Sequence, residues 1–316
     1  MSTTVKELRP GEDIAEFFIC ARKSVRSAKN GSTYLALKLT DASGGIEARM
    51  WDVDQGVIES FDQGDVVRVE GSVTSDDYGT QLKVTGIRRA GSDDDYSLEN
   101  LMPSSPRPLG EMEEELAVIR EGIADTHLTA LLDEIFATDI NYRSFCEAPA
   151  AKGVHHNYIH GLLEHTIGVC RICDSLAGLY PEVNRDLLLA GAILHDIGKT
   201  VEFKYTTAID YSDPGRLLGH IVLGERIIAK AVGNLDSFPR ELELQLLHLV
   251  LAHHGELEFG SPQVPQTLEA FFLHYADNID ARANVFAKKR VDTDEDWSDF
   301  DRVLSRFLYL KRAEED

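Results

Sequence analysis

The sequence predicts a multidomain chain in which a small all-β barrel is followed by an all-α helical bundle. Three observations carry that prediction. Between residues 16 and 90 apolar and polar residues alternate in short runs; beyond residue 111 the apolar spacing becomes helical; and residues 91–110, rich in Pro, Ser and acid, lie between the two. Domains are therefore expected at 1–90 and 111–316, with 91–110 as a linker.

Five runs fit strands: Ala-Glu-Phe-Phe-Ile-Cys-Ala-Arg-Lys from residue 15, Thr-Tyr-Leu-Ala-Leu-Lys-Leu-Thr-Asp from 33, Gly-Ile-Glu-Ala-Arg-Met-Trp from 45, Asp-Val-Val-Arg-Val-Glu-Gly-Ser-Val from 65 and Gln-Leu-Lys-Val-Thr-Gly-Ile from 81. Asn30-Gly31, Ser43-Gly44-Gly45 and Tyr78-Gly79 punctuate them. A helix-like insertion, Val53 to Phe61, falls between the third run and the fourth. That order matches a small closed barrel of OB type. Barrels of this type commonly hold single-stranded nucleic acid through a basic groove and a few stacking rings. Arg22, Lys23, Arg26 and Lys29 form a basic cluster, and Tyr34 beside it is the preferred platform among Tyr34, Trp51, Phe61 and Tyr78. A solvated strand edge competes for the charges, and core packing competes for every ring.

Helices are expected at 111–124, 127–138, 161–179, 185–196, 219–232, 240–254, 266–287 and 297–311. The run from Asp186 to Leu194 is apolar almost all round, as in a helix buried inside a bundle. It leads straight into His195-Asp196, with Gly198 placed to end it.

Composition narrows the class. Of 316 residues, 43% are hydrophobic and 27% charged, the usage of a soluble globular protein. No run approaches the ~18 to 20 apolar residues of a bilayer span, and the start lacks the apolar stretch of a signal peptide, so a cytoplasmic protein is expected. Four cysteines make no disulfide framework, and Cys170 and Cys173 have no second CxxC with which to hold zinc. They read as buried apolar side chains. A net charge of −22 spread evenly would repel phosphates. Residues 1–90, however, hold 12 Lys and Arg against 14 Asp and Glu, so nearly all the excess falls on residues 91–316.

The chemistry sits in seven ligand-type residues: His165, His195, Asp196, His220, His253, His254 and Asp277. Each lies in or at the end of an apolar helix, where an unpaired imidazole or carboxylate costs several kcal/mol. One pair of divalent ions shared among them would remove that cost. Imidazole and carboxylate donors without thiolate suit Mn, Fe, Co, Ni or Zn better than Ca or Mg. His165, His195, Asp196 and Asp277 would suit one ion; His220, His253 and His254 would suit a second, with Asp196 between them. Two such ions can support an in-line phosphoester displacement. Lys199, three residues after Asp196, is placed to offset charge on phosphoryl oxygens. His127 and His248 read as structural, His274 as a residue that packs on or orients Asp277. His155, His156 and His160 are candidates for a substrate cleft, with loop packing as the alternative.

The pattern H…HD…H…HH…D resembles the HD-domain metal-dependent phosphohydrolases, in particular those able to hold two metals. The fuller set of motifs is His-His-Asn-Tyr-Ile-His-Gly-Leu-Leu-Glu-His-Thr from 155, Leu-His-Asp-Ile-Gly-Lys from 194, Gly-His-Ile-Val-Leu-Gly from 219, Leu-Ala-His-His-Gly from 251 and Leu-His-Tyr-Ala-Asp-Asn-Ile-Asp-Ala from 273. Behind an OB barrel, this order is similar to the YhaM-type 3′-to-5′ exoribonucleases over nearly the whole chain. The resemblance implies an enzyme supported by Mn or Co that trims single-stranded RNA, or DNA, from its 3′ end and releases nucleoside 5′-monophosphates. It implies His165, His195, Asp196 and Asp277 as core ligands and His220, His253 and His254 as those of the two-metal members, with Lys199 matching the lysine after His-Asp. His160 departs from the pattern, standing where a glycine is expected, which puts the cleft entrance and substrate preference in question. Two other readings stay open: a phosphohydrolase of small nucleotides or cyclic dinucleotides, and a non-catalytic single-strand-binding protein with a structural metal. No membrane partner is expected, and a homo-oligomer is left open.

Overall fold

In the computed structural model the described residues are 3–27, 31–76, 79–91, 93–153, 155–205, 207–292 and 295–311; Lys29 and Tyr78 lie outside them. The chain divides into two compact units, Met1–Ser104 with Tyr205–Ala208, and Ser105–Lys204 with Ile209–Asp316.

The first unit is a five-stranded closed barrel: β1 (Asp13–Ser27), β2 (Thr33–Asp41), β3 (Gly44–Trp51), β4 (Val66–Asp76) and β5 (Gly79–Arg89), in the order β1-β2-β3-β5-β4. Alternation decides which side chains point inward. Leu35, Leu37 and Leu39 of β2 are buried and meet Phe18, Ala48, Val69 and Leu82 in one core. β1 closes the barrel by pairing antiparallel with β2 through its second half and with β4 through its first. Its register shifts between Cys20 and Arg22, a bulge that bends the long strand from one partner to the other. Helix α1 (Gln55–Glu59) lies between β3 and β4, and the Asp54 carboxylate caps it by accepting from Val57 N at 2.9 Å.

Part of the segment expected as a linker folds onto this barrel. Helix α2 (Leu98–Leu101) packs against β1 and β2, and Ala42 N donates to Asn100 O at 3.0 Å. Tyr96 meets the Phe17 ring at 5.3 Å and Asp94 pairs with Arg88 at 2.6 Å. Composition marked the stretch as irregular, but it could not reveal that these side chains have partners on the barrel.

The second unit is a helical bundle. Its helices are α3 (Leu109–Glu121), α4 (Thr126–Phe136), α5 (Asp139–Glu147), α6 (Gly161–Leu179), α7 (Arg185–Leu194), α8 (Lys199–Glu202), α9 (Asp213–Asn234), α10 (Arg240–Ala252) and α11 (Leu268–Asp292); a two-stranded ribbon, β6 (Phe203–Lys204) with β7 (Asp210–Tyr211), follows α8. α7 is the central helix: every residue from Leu187 to Leu194 is buried. All four cysteines are free and buried, Cys170 and Cys173 among the core residues of α6. Among the described residues no helix is long and apolar enough to cross a membrane.

Three expectations change. Residues 297–311 form no helix but a compact turn with two bridges, Trp297 to Tyr309 and Asp301 to Arg306. Leu304, Leu308 and Leu310 pack on Val285 of α11, and Asp301 Oδ1 accepts from Leu304 N at 2.8 Å, so the period-two pair at 308 and 310 and an aspartate turn outweigh the helical spacing. α5 was not foreseen; Thr138 caps it by accepting from Asn141 N at 3.1 Å, ahead of a mostly polar run. Gly198 does not end α7 in a left-handed turn. Its φ of −62° is right-handed and it opens α8. What it provides is room, since a Cβ there would lie 2.0 Å from the His220 carbonyl oxygen.

Candidate metal centre and nucleic-acid face

Asp196 lies at the middle of the bundle's polar cluster, in the turn that follows α7. Its two oxygens face different histidines. Oδ2 is 3.3 Å from His195 Nε2 and 3.6 Å from His165 Nε2, while Oδ1 is 3.4 Å from His220 Nε2 and 3.6 Å from His253 Nε2. Asp277, on α11, completes the first group through Oδ1, 3.1 Å from His165 Nε2. His254 completes the second, with ring centroids 5.1 Å from His220 and 4.5 Å from His253. The ligand atoms of His165, His195 and Asp277 lie within 4.8 Å of one another, and so do those of His220, His253 and His254. All seven side chains singled out in the sequence therefore meet.

The rings are fixed from behind. His195 Nδ1 donates to Ala192 O at 2.7 Å and His253 Nδ1 to Val250 O at 2.5 Å, each bond reaching back one turn of its own helix. His165 Nδ1 donates to Asp280 at 2.6 Å, and His220 Nδ1 to Glu202 at 3.2 Å. Each bond sets the tautomer so that Nε2 presents a lone pair to the cluster. His220 reaches its place because α9 kinks at Gly219, whose φ of 72° and ψ of 159° belong to a region open essentially to glycine alone. Glu202 also accepts from His220 N at 3.0 Å, holding the helix past the kink.

Two observations show that these residues fit divalent ions. Asp196 Oδ1, His220 Nε2 and His253 Nε2 are buried without a hydrogen-bond partner, three acceptors turned toward one another. Ligand atoms bound at about 2.1 Å in tetrahedral or octahedral geometry sit about 3.0 to 3.4 Å apart, close to the separations around Asp196. The electrostatics agree. Burial opposes the charge of Asp196, but Lys199, His195 and His220 outweigh it and hold the carboxyl well below its ordinary range. Lys199 Nζ is 2.5 Å from Asp196 Oδ2 and is itself buried. Burial likewise opposes charge on His165, yet Asp277 and Asp280 hold it up to about 9 without metal. Burial, reinforced by His254, pushes His253 down.

Other histidines divide as follows. His155 and His156 stand beside His165, ring centroids 5.3 and 5.4 Å away. His274 does not orient Asp277; its Nδ1 donates to His253 O at 2.9 Å, because one turn of helix points it back to the end of α10. His127 rests edge-on against Phe238, and His248 Nε2 accepts from Gln266 N. His160 is buried in a left-handed conformation at φ 67°, its Nδ1 on Cys146 O at 2.7 Å. Asp280 and Glu202 were missed. Their spacing, three residues after Asp277 and three after Lys199, carries no signal until α6 and α9 are packed beside them.

The barrel has a different kind of site. Residues opposite one another in neighbouring strands share a face. Arg26 pairs with Tyr34 and Tyr34 with Trp51; Ala36 pairs with Arg49 and Arg49 with Lys83; Arg22 pairs with Lys38. The outer face thus carries a Tyr34–Trp51 stack, centroids 4.6 Å apart, among Arg22, Arg26, Lys38, Arg49 and Lys83. Arg22 also pairs with Glu47 across that face at 2.9 Å. Arg49, Trp51 and Lys83 line a shallow hollow of about 180 Å³. Trp51, expected as core, is 43% exposed, whereas Phe61 is core. Lys23 belongs elsewhere. It lies opposite Leu37 on the inward side, donates to the Ile58 and Phe61 carbonyls, and sits 4.3 Å over the Phe61 ring. Its cation ties down the end of α1 rather than facing outward.

Comparison with known proteins agrees with both units. Residues 19–90 match the OB-fold nucleic acid binding domain, and residues 162–282 match the HD domain. A 3′-5′ exoribonuclease YhaM of Bacillus subtilis is 34% identical over 275 residues, covering 87% of each chain. That of Bacillus velezensis is 35% identical over 275 residues, covering 86% of each, and that of Bacillus licheniformis 34% identical over 276 residues, covering 87% of each. With both domains and the full ligand order in place, the chain belongs to the YhaM family of OB-fold, HD-domain proteins.

Proposed function

We propose that this protein is a metal-dependent 3′-to-5′ exoribonuclease: residues 1–90 capture single-stranded RNA, and the bundle, residues 111–316, hydrolyses its terminal phosphodiester and releases nucleoside 5′-monophosphates. The observation that carries the reading is the Asp196 carboxylate, with one oxygen facing each of two imidazole groups. His165, His195, Asp277 and Asp196 Oδ2 would hold one ion; His220, His253, His254 and Asp196 Oδ1 would hold the other. The donor set is compatible with Mn, Fe, Co, Ni or Zn, and the likeness to the exoribonuclease family points to Mn or Co among them. Two such ions would supply Lewis-acid polarisation of a phosphoryl group and a more acidic attacking water at neutral pH.

The protein's own groups do the rest. Asp280, Glu202 and the Ala192 and Val250 carbonyls keep four rings oriented, so no reorganisation is needed as charge develops. Lys199, held by Asp196, keeps a buried ammonium at the centre, where it would offset charge developing on phosphoryl oxygens. On the barrel, Tyr34 and Trp51 offer stacking surfaces to bases, and Arg22, Arg26, Lys38, Arg49 and Lys83 offer charge to the backbone. Single-stranded DNA presents the same features to this face and is a second substrate to assay.

The test replaces His195 and Asp196 together by alanine and follows a 3′-labelled and a 5′-labelled oligoribonucleotide with Mn present. Wild type should release labelled monophosphate from the 3′-labelled strand at once and shorten the 5′-labelled strand stepwise. The variant should do neither while still binding RNA. Activity surviving the double substitution overturns the assignment.

A further inference from the structure

His155 differs from four of the imidazoles of the centre in one respect. His165, His195, His220 and His253 each have Nδ1 tied to a carbonyl or carboxylate, which aims Nε2 inward. The Nδ1 of His155 is buried and has no hydrogen-bond partner. Its neighbour His156 also lacks a partner at Nδ1, but that residue is fixed by its backbone. His156 N donates to Asn284 Oδ1 at 3.1 Å, and its carbonyl accepts from Ala150 N at 3.1 Å. The His155 ring stands 5.3 Å from His165, and the ligand nitrogens of His155, His156 and His165 lie within 4.8 Å of one another. It therefore stands beside the His165 half of the centre and remains partly exposed.

A buried nitrogen left without a partner is costly and calls for one that arrives with function. A metal ligand would carry the rear support its neighbours have. His155 has none, whereas a group that contacts a transient substrate needs none. We propose that His155 is a catalytic residue that touches the substrate, its imidazole donating a hydrogen bond to a non-bridging oxygen of the scissile 3′-terminal phosphodiester. This rests on the exonuclease reading above and names a contact within it. Lys199, paired with Asp196, and His155, beside His165, then form two protein donors to one phosphoryl group. Donors of this kind act where charge develops, and removal of one typically lowers turnover by about 10²- to 10³-fold.

The experiment uses the full-length, Mn-loaded protein with His155→Ala, His155→Asn and His155→Gln variants. The expected result for His155→Ala is a kcat loss of roughly 10²- to 10³-fold, with two ions per chain and wild-type affinity for the oligoribonucleotide. Asn or Gln, which keep a donor, should recover at least about tenfold of that loss and also show that the site folds. A phosphorothioate of one configuration at the last linkage should slow wild type and slow His155→Ala distinctly less. Loss of an ion from His155→Ala makes the residue a ligand and overturns the proposal. An unchanged kcat, or the same sulfur effect in both proteins, overturns it too. If wild type itself releases no monophosphate from RNA, the exonuclease reading falls and takes this contact with it; a failure confined to the variants leaves that reading standing.

Discussion

Asp280 accepts the Nδ1 proton of His165 at 2.6 Å, so a carboxylate on α11 sets the orientation of a ligand on α6. Room for it comes from Gly168, where a Cβ would lie 2.1 Å from Asp280 Oδ1. Asp280→Ala should weaken metal binding at the His165 group roughly 10- to 100-fold, the usual effect of losing a partner behind a ligating histidine. Gly168→Ala should do the same without removing the carboxylate. Competition titration with a chromogenic chelator measures both. Wild-type affinity in either variant would show that the pair is not coupled to metal binding.

The same pair predicts a pH effect in the stripped protein. His165 is held up to about 9 against an ordinary 6.5. A value raised by folding gives stability that is fully present below about pH 6.5 and is lost as pH rises through about 9. His155, pushed down to about 2 by burial and Lys199, and His156, pushed down to about 3 by burial and His165, titrate below that window, while the four thiols, all pushed up by burial, add to the loss only toward pH 9. Urea unfolding of chelator-treated protein should lose roughly 3 kcal/mol between pH 6.5 and 9. Because the ion must displace that proton, metal binding at pH 7 should release it. Calorimetry in buffers of different ionisation enthalpy reads the release, and a buffer-independent heat would contradict it.

The ligand set was legible because each motif marks its own place: a His-Asp after a buried helix, a His-His before glycine, a His after Asp-Pro-Gly. Their convergence follows from apolar helices having only one interior to share. What was not legible depends on pairing between distant segments. Arg49 and Lys83 join one face only once β3 lies parallel to β5, and Lys23 turns inward because the bulge after Cys20 resets its register. Asp280 and Glu202 needed the packing of α11 on α6 and of α8 on α9. The segment 297–311 failed for a local reason, since its leucines satisfy helical and alternating spacing at once.

Lys23 and Trp51 therefore separate stability from binding. Trp51→Ala removes a stacking surface and should weaken single-stranded RNA binding by about 1 to 3 kcal/mol, or roughly 5- to 150-fold. Melting should scarcely change, since the ring is partly exposed. Lys23→Met loses two hydrogen bonds to carbonyls and a ring contact, so it should lower stability by about 1 to 3 kcal/mol. Its effect on RNA affinity should be smaller than that of Arg49→Ala. Filter binding and thermal melting together decide; equal RNA defects for Lys23→Met and Trp51→Ala would return Lys23 to the binding face.

Gly219→Ala isolates the kink that places His220. A Cβ at this position meets nothing within 4 Å, so the whole effect comes through the backbone. Alanine should cost about 1 to 3 kcal/mol at φ 72° and ψ 159°. If the helix straightens to relieve it, His220 leaves Asp196. Elemental analysis should then find the second ion depleted and the first retained, whereas loss of both would mean that the kink supports the whole bundle.

His160 tests whether the departure from the family's glycine matters for substrate. The left-handed φ explains why glycine suits the position, and the imidazole offsets its strain with the bond to Cys146 O while remaining buried. It is not one of the rings that converge on Asp196. His160→Gly gains about 1 kcal/mol by relieving the backbone and loses about as much with the hydrogen bond, besides some buried contact. The net change in stability should stay within about 2 kcal/mol. The ratio of kcat/KM for RNA over DNA oligonucleotides should hold, because nothing facing the centre has moved. A shift in that ratio of tenfold or more would place His160 at the cleft after all.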